Sequence, residues 1–234
     1  DPPTGPNLRI NRKMAWGSLA DFILMDERQY RTDQACGDVT LDLGPACDEI
    51  NSEGRTMLGA EQEQWVYGQL DASTATWRVL GNEVVMTPIT VGNAILNYDQ
   101  WDGYPAERDR LLAHIDEQAM TNVVVITGDI HLAGVGDLTR TVEGASRTVA
   151  TELVGTSISS GGLLPAGTEG LVTSAVPAIK YVNSSQRGWT RCTVTPEKWT
   201  AEYRMVVDNL QEESPTAVDA TFEILPTAPG ARRL

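Results

Sequence analysis

The stretch that most constrains this chain is Val123–His131, which reads V-V-V-I-T-G-D-I-H. Four β-branched apolar residues in an unbroken run predict a buried strand in the middle of a sheet. Gly128 is expected to break that strand, because glycine takes backbone angles that the run before it cannot. Asp129 and His131 then fall on the turn at the strand's carboxyl end, where α/β sheets hold ligands. A carboxylate and an imidazole two residues apart can reach one metal ion. The plainer alternative is an aspartate that caps the turn and a histidine that packs nearby, and the short D-x-H spacing does not separate the two.

Charge narrows the partners. The formal net charge is −14 over 234 residues, with no basic stripe to meet phosphates along a nucleic acid. Adhesion to an anionic membrane surface is disfavoured for the same reason. An acidic protein can still bind an anionic substrate where metal ions supply the positive charge locally. No apolar run approaches the length needed to span a bilayer. No leader-like segment is present, so the chain reads as cytoplasmic or already processed.

Three cysteines are present. Cys36 and Cys47 lie in an acidic loop containing Gly and Pro, Thr32–Thr56, which is long for a compact domain. They suit a local disulfide, worth roughly 2–3 kcal/mol on loop-entropy grounds. Two free thiols or half of a metal site are the alternatives, and the lack of any C-x-x-C spacing argues against a zinc ribbon. Cys192 is left over. A disulfide favours an exported protein.

The rest of the chain is read in order. Asp1–Asn7 is a Pro-rich lead. Phe22–Met25 should be a buried strand, with Asp26 and Arg28 at its end, either in a site or as a structural ion pair. Leu58–Ala72 has Trp65, Val66 and Leu70 on one side and reads as a helix. Thr76–Ile89 reads as strand around a turn at Gly81 and Asn82, with Val84, Val85 and Met86 as its apolar centre. Pro105 is placed to open a helix whose buried face is Leu111, Leu112, Ile115 and Ala119, leaving His114 as a partly buried helix residue. In the loop before it, Asp99 and Asp102 interleave with Tyr98, Trp101 and Tyr104, a mixture suited to a pocket wall.

Beyond His131 a strand is expected through Thr148–Val154. Gly155–Gly162, G-T-S-I-S-S-G-G, either offers amides to a phosphate or is a plain turn, and Leu163–Ala178 reads as irregular. Thr190–Val194 and Thr200–Val206 predict a hairpin turning at Pro196 and Glu197, followed by a strand over Ala217–Leu225. Asn183-Ser184-Ser185 matches a glycosylation acceptor, a pattern too common to carry weight.

Six segments together resemble the calcineurin-like metallophosphatases, and within them the PhoD-type alkaline phosphatases and phosphodiesterases. They are M-D-E-R-Q-Y-R (25–31), L-G-A-E-Q-E-Q-W (58–65), W-D-G-Y-P-A-E-R (101–108), T-G-D-I-H (127–131), G-T-S-I-S-S-G-G (155–162) and Q-R-G-W (186–189). They span most of the chain in the family's order. The resemblance implies an α/β fold: half of a four-layer αββα sandwich with a mixed sheet and a C-terminal β-hairpin. It implies an exported, metal-dependent phosphoric ester hydrolase, and a phospholipase D belongs to the same family, so a phospholipid diester is a candidate substrate beside simpler phosphate esters.

The family's usual Gly-His-x-His ending has Asp129 here in place of the first histidine. Carboxylates for imidazoles suit harder ions, so ferric iron and calcium are expected and zinc is not. The resemblance implies Asp129, His131 and Asp102 as metal ligands, with His131 alternatively orienting or protonating the leaving oxygen, and Arg28 as a phosphate contact.

The family's early stretches, including an acid and a cysteine that bind metal, do not occur before Met25. Residues 1–234 are therefore expected to be the carboxyl-terminal part of a single metallophosphatase domain, with the amino-terminal half on another fragment as partner. A non-catalytic half that only completes that partner is the rival reading.

Overall fold

The computed structural model describes residues 8–40, 45–91, 94–162, 164–165 and 167–234. The Pro-rich lead lies outside the described residues, as do residues 41–44 of the acidic loop. The strands are β1 (Arg12–Trp16), β2 (Ala20–Leu24), β3 (Trp77–Gly81), β4 (Thr90–Val91), β5 (Ala94–Ile95), β6 (Val123–Thr127), β7 (Ala133–Val142), β8 (Ala145–Val154), β9 (Ile179–Asn183), β10 (Arg187–Val194), β11 (Trp199–Val206), β12 (Thr216–Leu225) and β13 (Ala228–Arg233). The helices are a single turn α1 (Ala35–Asp38), α2 (Ala60–Ala72), α3 (Pro105–Glu117) and α4 (Glu169–Ala175).

Seven strands form one mixed sheet in the order β1-β2-β3-β6-β8-β7-β9, and β10-β11-β12-β13 form an antiparallel sheet. The V-V-V-I-T run is β6, fourth of seven, as its unbroken apolar character requires. It pairs in parallel with β3 and β8, and β3 pairs in parallel with β2. All four parallel strands therefore end on the same edge.

The seven-stranded sheet is covered on both faces. On one, Ile23, Leu80, Val123 and Val125 pack against Val66 and Leu70 of α2 and Leu111, Leu112 and Ile115 of α3. On the other, Trp77, Val79, Val124 and Tyr181 meet Trp199, Tyr203, Phe222 and Ile224 of the antiparallel sheet. The described residues thus form three layers, helix on sheet on sheet, and the expected hairpin is half of a four-stranded sheet.

Two expectations change. Thr76–Ile89 is strand only to Gly81; Val84, Val85 and Met86 are buried but irregular, because their N–H groups go to side chains rather than to a neighbouring strand. Leu163–Ala178 contains the helix α4. Residues 133–142 form β7, which pairs with β8 and β9 despite two glycines. The local disulfide is present, joining Cys36 and Cys47 with Cα atoms 5.7 Å apart, and Cys192 is free.

Candidate active site

β6 delivers Asp129 and His131 to the carboxyl edge. The left-handed residues here are Asp129 (φ 73°) and His131 (φ 55°), and Gly128 is not among them. The cause is burial. Ile130 and Leu132 are pinned in an apolar cluster with Val85 and Val154, so their neighbours turn outward. The Ile130 N–H bonds the Gly128 carbonyl at 3.0 Å, closing a three-residue turn around Asp129. A non-glycine residue at the centre of such a turn is rare and strained, and strain of this kind collects at functional sites.

β2 delivers Arg28. Asp26, just ahead of it, is fully buried and accepts N–H groups from Arg28 and Gln29 at 3.1 and 3.0 Å, so it shapes the loop and makes no ion pair with the Arg28 guanidinium. That guanidinium reaches Asp99 through Nη1 at 2.9 and 2.8 Å and Asp129 Oδ1 through Nη2 at 3.3 Å. Gln100 Nε2 donates to the other Asp129 oxygen at 2.7 Å. Arg28 thus contacts Asp129, another sequence-predicted site residue, directly, and is held at the same time by a second carboxylate.

That second carboxylate is Asp99. It also takes Arg31 at 2.7 Å and Gln34 at 2.6 Å. Burial works to raise its carboxyl, but the Arg28 and Arg31 guanidiniums outweigh it and hold Asp99 below the usual carboxylate range. Asp102, expected as a ligand, is placed differently. It is 5% exposed, with Arg108 on one oxygen at 2.6 Å and the Ile89 N–H on the other at 2.8 Å. Arg108 and Ile89 engage one oxygen each, and the loop carboxylate tied to Arg28 is Asp99. His131 is exposed, and its carbonyl accepts from Arg187 at 3.3 Å. His114 lies on α3, stacked on Tyr67 with centroids 4.4 Å apart and bonded to Asp71 at 2.8 Å, the partly buried role expected of it.

Beneath these groups lies a polar layer that sequence reasoning missed. Glu27 and Glu152 are both fully buried. Glu27 accepts the N–H groups of Glu83 and Val84 and the Trp101 indole at 3.0, 2.9 and 3.1 Å. Burial pushes its carboxyl up to about 8 against those donors, and the nearby Glu83 charge adds to the rise. Glu152 accepts Met86 N, Thr87 N and the Thr127 hydroxyl at 2.9, 2.7 and 2.6 Å. Asn82 links the two, accepting from the Trp101 indole and donating to Thr127. The one available signal was acidic residues inside apolar strand-end segments, M-D-E-R and T-E-L-V.

Next to the Asp129 turn is a cavity of about 200 Å³, walled by Val85, Ile130, Leu132, Val154 and Val182, with Gln100 and Asp102 among its few polar groups. Asp129 and His131 offer a carboxylate and an imidazole open to solvent, which fits part of the shell of a hard cation. Among the described residues no three His, Cys, Asp or Glu side chains converge to complete one. The Gly155–Gly162 turn has mostly exposed side chains and Thr156 bonds Gln186, while the Asn183 carboxamide is engaged with Asp219 and Gln186. No helix among the described residues is long and apolar enough to cross a membrane.

The family model for PhoD-like phosphatase matches residues 1–203. Alkaline phosphatase D of Bacillus subtilis (strain 168) is 37% identical over 239 residues, which cover 99% of this chain and 40% of that protein. A solved structure described as the structure of PhoD superposes with a TM-score of 0.88 at 37% identity, over 99% of this chain and 45% of that one. The chain spans less than half the length of these relatives. The family model covers most of the chain and the fold overlays a solved relative along nearly its whole length, and on these grounds the chain belongs to the PhoD-like phosphatase family.

Proposed function

We propose that this chain supplies one wall of the active site of a metal-dependent phosphoric ester hydrolase. The observation that carries the reading is the Arg28–Asp129 contact at the ends of β2 and β6, with Asp99 fixing the guanidinium from behind. Arg28 is the phosphate contact: its fork is pre-aimed by two bonds to Asp99, so little freedom is lost when it meets a phosphoryl oxygen. Asp129 and His131 are the metal ligands of this half, with Gln100 fixing the carboxylate. When bound, ferric iron and calcium would supply Lewis acidity and offset charge on the phosphoryl group. His131 alternatively gives a proton to the leaving oxygen. Asp102, the third expected ligand, is paired with Arg108 at 2.6 Å.

The apolar cavity beside Gln100 favours esters whose alcohol carries an apolar group, which keeps phospholipid diesters in the substrate class beside simpler monoesters. The Cys36–Cys47 bridge favours an oxidising, extracellular setting. The remaining ligands and the rest of the domain come from the amino-terminal part of the enzyme, which is the partner of residues 1–234.

A second reading has its own observation. With no three-donor cluster among the described residues, the chain by itself is a non-catalytic half that completes its partner. One experiment addresses both. The parent-length protein and the 234-residue chain are assayed on 4-nitrophenyl phosphate and bis(4-nitrophenyl) phosphate, with metal content and intact mass measured on the same samples. The parent-length protein should hydrolyse at least one ester with bound metal, and Asp129→Asn should cut that rate by about 100-fold or more while the protein stays folded. Full activity in a folded Asp129→Asn protein would remove the assignment.

A further inference from the structure

The L-G-A-E-Q-E-Q-W segment has no role in the reading above, yet it forms one wall of a second concavity. Helix α2 starts at Ala60 behind Gly59, which is left-handed (φ 73°). A side chain at Gly59 would crowd Tyr30, its Cβ lying 3.1 Å from that of Tyr30. No side chain caps the helix. Its first internal bond runs from Glu63 N to Gly59 O at 2.9 Å, so the N–H groups of Ala60, Glu61 and Gln62 precede the ladder. They open on a cavity of about 240 Å³ whose other walls are Arg9, Asn11, Tyr30 and Leu58.

Asn11 gives an observation independent of the helix end. It is only 7% exposed, and its Nδ2 is buried with no partner among the described residues. Its Oδ1 is taken by Arg9 Nε at 3.1 Å, so what the carboxamide has left to offer is a donor. A buried donor without an acceptor is costly to keep and calls for a ligand. Arg9 adds a positive charge, and the helix start adds aligned amides that favour an anion. The one carboxylate in the wall, Glu61, belongs to an exposed residue.

We propose that this concavity is a second anion-binding site, separate from Arg28, that takes a phosphate or carboxylate group on Arg9, Asn11 and the first amides of α2. It lies against the loop that carries Arg28. Gln62, in the same helical turn, clamps Asp26 from both sides, accepting its N–H at 2.8 Å and donating to its carbonyl at 2.7 Å. Tyr30 follows Arg28 by two residues. The occupant is free phosphate or a second anionic group on the ester.

The test is an amide-resolved titration of the ¹⁵N-labelled chain with sodium phosphate at constant ionic strength. The Ala60, Glu61 and Gln62 amides and the Asn11 side-chain NH₂ should move together and saturate. Arg9→Glu, a change at an exposed residue, should weaken this by about tenfold or more. Asn11→Leu should do the same, and Arg28→Ala should leave it unchanged. No movement of these amides at phosphate concentrations on the order of 10 mM would overturn the site, as would loss of the response in Arg28→Ala. Repeating the titration with propanediol bisphosphate assigns the source. Tighter binding than phosphate, with Arg28 perturbed too, makes the occupant part of the ester; equal binding makes it free phosphate.

Discussion

The interface between the two sheets and the carboxyl edge of the parallel strands are both buried, and they are held by opposite means. In the interface, β11 alternates along its length, sending Trp199, Ala201, Tyr203 and Met205 inward to meet Phe222 and Ile224 of β12 and the seven-stranded sheet. Its backbone is satisfied by its own ladder. At the carboxyl edge the chain leaves the ladder while still buried, and the N–H groups of residues 83–87 need other acceptors. Glu27, Gln100 and Glu152 supply them. Buried carboxylates are expensive unless fully hydrogen-bonded, so their presence marks where the fold has given up regular structure to shape a site.

The largest effect should come from the edge. Glu152→Ala orphans the buried N–H groups of Met86 and Thr87 and leaves Thr127 and Asn82 short of an acceptor. At about 1–3 kcal/mol for each orphan, the loss should exceed about 4 kcal/mol. Phe222→Ala, a deletion at the fully buried centre of the interface, should cost about 3–5 kcal/mol by leaving a cavity. Urea unfolding of both variants measures the two. If Glu152→Ala unfolds at the wild-type urea midpoint, the contrast between the regions is broken.

The disulfide comes next. It staples the loop that brings Glu49 to Arg55, whose guanidinium reaches the carbonyls of Asp33 and Gly103 behind the Asp99 loop. Replacing both cysteines by serine should cost about 3 kcal/mol for a loop of this size. Hydrogen exchange sharpens the comparison, because protection should fall around Arg31–Gln34 and Asp99 while β11 and β12 keep theirs. Equal loss in both regions would mean that the edge and the interface open as one unit.

What the sequence discloses follows the same division. β6 is legible as an unbroken apolar run, and α2, α3 and the β10–β11 hairpin because burial imposes a period on them. β7 is not: A-G-V-G-D-L-T-R-T-V carries two glycines, which weaken a strand signal, whereas a side chain at Gly136 would collide with Thr87. At the site, D-x-H beside a buried strand exposes Asp129 and His131. Their left-handed geometry is hidden, since it comes from Ile130 and Leu132 being anchored in a cluster. Asp99 and Asp102 look alike in one loop. Only the fold reveals that Asp102 is claimed by Arg108 six residues on, and Asp99 by Arg28 from 71 residues back. Glu27 and Glu152 are the least legible, because a lone glutamate in an apolar segment reads as a solvent-facing position.

The most gradual effect isolates Glu27. Its carboxyl titrates at about 8 in the folded chain against 4.5 as its ordinary value. Between those values the folded state holds a proton that the unfolded state has lost, so stability is highest at the low end of the window and falls as pH rises through about 8. The slope is on the order of 1 kcal/mol per pH unit, against a total stability several times larger. Asp99 acts in the other direction: held below its ordinary value, it stabilises above about 3.8 and loses that contribution only on further acidification, outside this window. Urea midpoints at about pH 5, 7 and 9 should therefore decline for the wild type and flatten in Glu27→Gln, which keeps the shape and cannot ionise. A parallel decline in both proteins would mean that the N–H groups of Glu83, Val84 and Trp101 outweigh burial and keep Glu27 charged. The polar layer beneath the site would then be an anion held by donors, at odds with the burial-dominated, proton-holding carboxyl expected at this edge.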